Sequence, residues 1–366
     1  MLAGTAWSAG SGCDPWQTAM MHDDLPAAAR ERRWAVDALA ALRAPVAGPP
    51  LRHYPLPPEW GISLLLQDHS HGPTGSVKDG TVRRSFEHAI ASGWIGAGTT
   101  LIDATAGNGA VAAARLAGLL GLPFVAVVPG RTAPAKRARI SAYGGRCHPF
   151  DPPLGIYEEA RRLAQEPGTH LLDHFAWAAR SEDWRDPSGL AATLVRQVTA
   201  ATGTPPDWVV TGAGTGATSA AIGRHARFHG LPTRLAVVDP EHSAYFPGWV
   251  TGDPGYATGM PSRIEGIGRP RTEPGFLPAV IDLVIPVADG ASVAAMRHLA
   301  DEHGWRAGPS TGANLWGAMH LVSRMRARGE HGTVATLICD GDEPYRDTYY
   351  NDEWLHAKGI EVTRWP

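Results

Sequence analysis

The strongest constraint in this chain is a set of short runs with no polar side. Phe124–Val128 reads FVAVV, Leu235–Val238 reads LAVV and Val334–Ile338 reads VATLI. A strand with one wet face alternates apolar and polar residues; these runs do not alternate, so both of their faces are buried. Stretches of helical period lie between them, and the junctions are rich in glycine. Strands alternating with helices in this way predict mainly parallel sheets covered by helices on both sides.

Read in order, residues 1 to about 20 carry no period and are expected to fray. A helix is expected over 25–43 and an extended, proline-bearing connector over 51–58, where proline forbids helix. Strands are predicted at 62–66, 99–102, 124–128, 170–172, 208–210, 235–238, 283–287 and 334–338. Helices are predicted at 110–120, 134–143, 156–164, 190–200, 218–229, 293–303 and 313–325. Residues 240–280 have many Pro and Gly and no period, which predicts a long ordered loop or a flap.

The length of 366 residues allows one large or two ordinary domains. The expected division is an N-terminal extension with a helix (1–50), a smaller α/β domain (51–188) and a larger one (189–366). A net charge of −3 gives no basic surface for nucleic acid or membrane. Cys13, Cys147 and Cys339 are widely spaced, which indicates neither a disulfide framework nor a thiolate zinc site. No apolar run has the length of a membrane span, and the N-terminus lacks a basic start followed by an apolar core. The expectation is a soluble cytoplasmic protein.

Four loops carry the chemistry. Gly72–Asp79 (GPTGSVKD) puts Lys78 between a rigid turn and a helical segment, so the amine is held and suited to Schiff-base formation with a carbonyl. Asp103–Ala110 (DATAGNGA) joins a strand to a helix. Its backbone amides suit an anion such as a carboxylate, and Asn108 offers both a donor and an acceptor. Gly212–Thr218 (GAGTGAT) is a phosphate cradle at a helix start. The same loop also fits a dinucleotide fingerprint, with Asp239 placed to hold a ribose, so a nicotinamide oxidoreductase stays open at this point. Gly308–Asn314 (GPSTGAN) sets Ser310 at a helix start, where it either caps the helix or donates to a ring nitrogen.

In this order and spacing, the loops resemble those of the cysteine synthase and cystathionine β-synthase family, the fold-type II pyridoxal phosphate enzymes. The family's PTGSVKDR, TSGNTG, GTGGT and SSGA correspond to PTGSVKDG, Thr105–Ala110, Gly214–Thr218 and Ser310–Ala313. Gly266-Ile267-Gly268 matches the family's glycine loop, and Asp340–Tyr345 loosely matches DSGERY. RIEGIGRPRTEPGFLP and GPSTGANLWGA look most like the branch that includes L-cysteine desulfhydrases.

The resemblance covers about residues 50 to 350. It implies a tryptophan synthase β-like fold of two three-layer α/β/α domains, with pyridoxal 5′-phosphate in the cleft between them, and a homodimer. It implies that Lys78 carries the cofactor and acts as the base at Cα. Asn108 would contact the ring oxygen. Gly214, Thr215, Gly216, Ala217 and Thr218 would hold the phosphate, and Ser310 would face the ring nitrogen. Thr105, Ala106, Gly107, Gly109 and Gly266 would meet an amino-acid substrate. The implied reaction is β-elimination or β-replacement on a cysteine-like amino acid through an aminoacrylate, desulfhydrase ahead of cysteine synthase. A specialised biosynthetic lyase is a further alternative.

Some positions depart from the pattern. Ala106 and Gly109 stand where the family has serine and threonine, and Gly80 stands where it has arginine. Ala217 replaces a glycine, which requires a negative φ there. Arg83 and Arg84 read as a solvated helix face. Arg263, Arg269 and Arg271 read as solvated arms, with a bidentate anion contact as the alternative. His69 and His71 lack a third ligand, so no metal is expected.

Overall fold

The computed structural model describes residues 26–365. The frayed start expected over residues 1 to about 20 lies outside them. The chain opens with helix α1 (Ala27–Leu42), then strands β1 (Leu51–Tyr54) and β2 (Ile62–Asp68), and helix α2 (Lys78–Ala91). A run of β3 (Thr100–Asp103), α3 (Asn108–Leu119), β4 (Phe124–Pro129), α4 (Pro134–Ser141), β5 (Arg146–Phe150), α5 (Ile156–Leu163), β6 (Thr169–Leu171) and α6 (His174–Ser181) follows. The last part holds α7 (Leu190–Thr202), β7 (Trp208–Gly212), α8 (Ala217–Phe228), β8 (Arg234–Pro240), α9 (Tyr245–Thr251), β9 (Leu283–Val287), α10 (Asp289–His303), α11 (Pro309–Ala327), β10 (Gly332–Ile338) and α12 (Asp352–Ala357).

Two sheets result. One has six strands in the order β1-β2-β10-β7-β8-β9, and the other has four in the order β5-β4-β3-β6. Every pairing is parallel except β1 with β2. This is the two-sheet α/β architecture expected from the sequence. The absence of alternation has its reason in the packing. Leu64 and Leu66 of β2 face α10 and α11 with Val210, Val238 and Met296. Leu65, between them, faces the opposite side with Val209, Leu194 and Ile222. In the smaller sheet Leu101, Phe124 and Ala126 pack on α2 and α3, while Ile102, Val125 and Val127 pack on α5.

Three expectations need correction. The connector at 51–58 begins as a strand: Leu51–Tyr54 pairs with Leu64–Gln67 at the sheet edge, and prolines stop it only after residue 54. With β2, it belongs to the six-stranded sheet, so residues 51–68 are not part of the smaller sheet's domain. The weakly patterned stretches 146–150, 174–181 and 245–251 also form elements. β5 is a half-exposed edge strand, and edge strands need no apolar run.

Candidate active site

Four helix starts meet between the two sheets. They are those of α2, α3, α8 and α11, preceded by Val77, Gly107, Gly216 and Gly308, and none is capped by its own preceding side chain. Ser76 Oγ accepts from the Lys78 amide and Thr215 Oγ1 from the Ala217 amide, and the four starts point the positive ends of their helices at one space. That space is a cleft of about 380 Å³, a size suited to a small ligand. Lys78, Thr105, Ala106, Gly107, Asn108, Gly109, Gly214, Thr215, Gly216, Ala217, Thr218, Gly266 and Ser310 all line it. The structure therefore brings together every residue that the resemblance placed around the cofactor and substrate.

The lysine turn is closed by its own residues. Asp79 accepts from the Thr74 amide at 2.9 Å and the Thr74 hydroxyl at 2.8 Å. Gly75 takes φ +72°, open to glycine. The Val77 amide donates to the Cys339 carbonyl at 2.7 Å, and Ser76 bridges to Asp340. The turn is thus tied to the end of β10 while its helix packs on the other sheet. Among the described residues, the Lys78 amine has neither an ion-pair nor a hydrogen-bond partner.

In the phosphate loop, Gly216 takes φ +86° and Gly275 sits against it so closely that a Cβ has no room. Ala217 begins α8 with ordinary helical backbone, which meets the condition set by its side chain. The buried Tyr245 hydroxyl donates to the Gly214 carbonyl. Across the cleft, Asn108 Nδ2 donates to Asp340 Oδ2 at 2.6 Å, and the Tyr345 hydroxyl donates to the same oxygen. Burial pushes the Asp340 carboxyl up to about 6, against the opposing pull of those two donors and of Lys78. Its Oδ1 is buried with no partner among the described residues. Burial also raises the Cys339 thiol to about 11, so it stays protonated near neutral pH.

Other expectations change here. Arg84 is not on a solvated face: it is buried and paired with Glu87 at 2.8 Å and with Asp186. Arg263 is held by Asp289 at 2.7 Å and by Glu241. Arg269 donates to the Tyr157 hydroxyl at 2.7 Å, stacks 4.1 Å over Phe175 and lines the cleft. Arg271, the most exposed of the three, pairs with Glu273. Asp239 is buried and accepts from the Phe246 amide at the start of α9, so it does not reach the cleft to hold a ribose. His69 and His71 go to different partners, Gln67 and Arg52. Burial lowers His69 to about 4, with the Lys78 charge adding to the effect.

Sequence reasoning missed Lys136, Arg139, Glu265 and His174, all of which line the cleft. Lys136 pairs with Glu265 at 2.6 Å between the two halves, and Arg139 donates to Asn108 Oδ1 at 3.2 Å. Both cations lie on α4, whose period was read but whose exposed face gave no sign of function.

A family model described as pyridoxal-phosphate dependent enzyme matches residues 43–340, and the chain belongs to that family. It is therefore a pyridoxal-phosphate dependent enzyme, and the nicotinamide alternative falls. The chain is 44% identical over 337 residues to L-cysteine desulfhydrase Cds1 of Mycobacterium tuberculosis, covering 90% of this chain and 92% of that protein. It is 31% identical to the N-(2-amino-2-carboxyethyl)-L-glutamate synthase of Ralstonia nicotianae, covering 77% of this chain and 81% of that protein. The crystal structure of O-ureido-L-serine synthase superposes with a TM-score of 0.73 at 24% identity, covering 87% of this chain and 98% of that one, which shows the shared fold.

The residues present fit the cofactor. An amine and a carboxylate oxygen without partners among the described residues, a glycine-rich anion cradle and a buried hydroxyl all face the same cleft.

Proposed function

We propose that this enzyme removes the β-substituent of L-cysteine, releasing sulfide and leaving pyruvate and ammonia. The observation that carries the reading is the Lys78 amine, without a partner among the described residues, in a cleft ringed by four helix starts. The choice of cysteine is supported by the 44% identity to a desulfhydrase.

In this reading Lys78 Nζ holds the cofactor's carbonyl carbon and later takes the proton from the substrate Cα. The amides of Gly214, Thr215, Gly216, Ala217 and Thr218 hold the phosphate at the start of α8. Asn108, oriented by Asp340, would donate to the ring oxygen. The Ser310 hydroxyl would face the ring nitrogen, and a hydroxyl does not enforce a positive ring as a carboxylate would. When bound, pyridoxal phosphate supplies the electron sink for the bond broken at Cα. Thr105 and the amides of Ala106, Gly107 and Gly109 hold the substrate carboxylate, with Gly266 closing over it. The reading also carries the homodimer implied by the resemblance and a cytoplasmic setting.

A second reading, β-replacement by an anionic nucleophile, is favoured by Lys136, Arg139 and Arg269 in the cleft wall. One experiment separates the two. The purified protein is given a panel of β-substituted amino acids, with and without nucleophiles, and sulfide, pyruvate and ammonia are measured. Elimination predicts all three products from cysteine alone. Turnover only when a nucleophile is added sinks the first reading and supports the second. Lys78→Ala is expected to abolish borohydride-fixed cofactor; fixation elsewhere sinks the assignment of the amine. Light scattering at twice the chain mass checks the dimer.

A further inference from the structure

Asp103 ends β3 as a buried carboxylate, about 4% exposed. Its Oδ1 accepts from the Ala104 amide at 3.0 Å, and its Oδ2 meets His174 Nδ1 at 2.7 Å. An ionised carboxylate can only accept, so Nδ1 carries a proton in this pair. The nitrogen left for proton exchange is Nε2. It has no hydrogen-bond partner among the described residues, and the ring lines the same cleft as Lys78. α6, which begins at His174, packs against α2, which begins at Lys78. Besides Asp103, the charged groups facing the same cleft include Lys78 and Arg269, the latter stacked over the neighbouring Phe175.

A buried carboxylate that fixes one ring nitrogen and turns the other toward a reaction space is the arrangement of a general acid or base. Lys78 already serves as the base at Cα in the proposed function. The remaining proton demand of an elimination is at the departing atom. We infer that His174 is the acid that protonates the departing β-substituent, with Asp103 as its positioning residue. This rests on the elimination reading above. In the step, the Cα–H bond breaks and its proton goes to Lys78 Nζ. The Cβ–S bond breaks with its electron pair on sulfur, which takes the proton from His174 Nε2 and leaves as hydrogen sulfide. The neutral ring regains its proton from water.

The test compares L-cysteine with β-chloro-L-alanine, whose chloride leaves without a proton. Both carry the same α-amino and α-carboxylate groups, so an anchoring role would affect them alike. His174→Gln is expected to lower kcat with cysteine by about 100-fold or more while changing kcat with β-chloro-L-alanine by less than about threefold. Equal losses on both substrates would overturn the inference, as would undiminished turnover of cysteine. A wild-type protein inert toward both would overturn the functional reading and this one with it.

A second readout does not depend on turnover. Nitrogen-15 NMR of the cofactor-free full-length chain is expected to place the neutral ring's proton on Nδ1. In Asp103→Asn the side-chain carbonyl keeps the Ala104 amide, so its NH₂ faces the ring and moves the proton to Nε2. A wild-type ring protonated at Nε2 when neutral would overturn the assignment.

Discussion

Glu182 follows directly on α6, the helix that carries His174, Phe175 and Ala178 into the cleft. Its carboxyl is buried, and Oε2 has no partner among the described residues. Burial pushes it from 4.5 up to about 7, even with Arg84 and Arg83 pulling the other way. Below pH 4.5, both folded and unfolded chains hold this proton, and the group contributes nothing to the balance. As pH rises toward 7, the unfolded chain releases the proton and the folded chain keeps it, so stability falls. Above about 7 both are ionised, and the loss is complete. A rise of that size, at about 1.4 kcal/mol per pH unit, corresponds to roughly 3 kcal/mol. Glu182→Gln removes the ionisation and nearly preserves the volume. Thermal unfolding of both proteins, followed from pH 4.5 to 8.5, is expected to give curves that meet at the acid end. The variant should gain steadily with pH and level off above 7. Parallel curves, or a wild type more stable than the variant at pH 8, would refute the reasoning. Arg84 would then be holding a charged carboxylate, and burial would not be keeping a neutral one.

Restoring the family's hydroxyls with Ala106→Ser and Gly109→Thr is expected to lower KM for the amino acid by about fivefold each, at about 1 kcal/mol per hydrogen bond. A Cβ at Gly109 would sit 3.4 Å from Thr105 Oγ1, so there is room, and an unchanged KM would mean the carboxylate is held elsewhere. Asp340→Ala frees the Asn108 amide and the Tyr345 hydroxyl. Equilibrium dialysis should show cofactor affinity reduced by about 5- to 150-fold, from roughly 1–3 kcal/mol of lost hydrogen bonding. Gly80→Ala fills an exposed helical position with nothing within 4 Å, and calorimetry should find it stabilised by about 0.5–1 kcal/mol with kcat unchanged.

The four loops were legible because each is local: a strand, a turn and a helix start lie within ten residues, and glycine marks where the backbone must approach something. The pairs that bind the loops to one another were not. Asn108 and Asp340 are 232 residues apart, and His174 and Asp103 are 71 apart. No period or spacing connects such residues. His174 follows a weak strand that offered no signal beyond the residue type itself. The arginines were misread for a related reason. Exposure is the ordinary fate of arginine, and only the fold brings Asp289 to Arg263 and Asp186 to Arg84. β1 was hidden by the prolines that end it, because an edge strand needs hydrogen bonds along one side only.

The lysine turn is stitched to the end of β10, while the helix it opens belongs to the smaller sheet's packing. A group fastened to both halves has its position set by each of them. The amine can thus keep its place both when it is bonded to the cofactor and when it is free to take a proton. Recognition can then be retuned on the Thr105–Gly109 wall without resetting the position of the nitrogen.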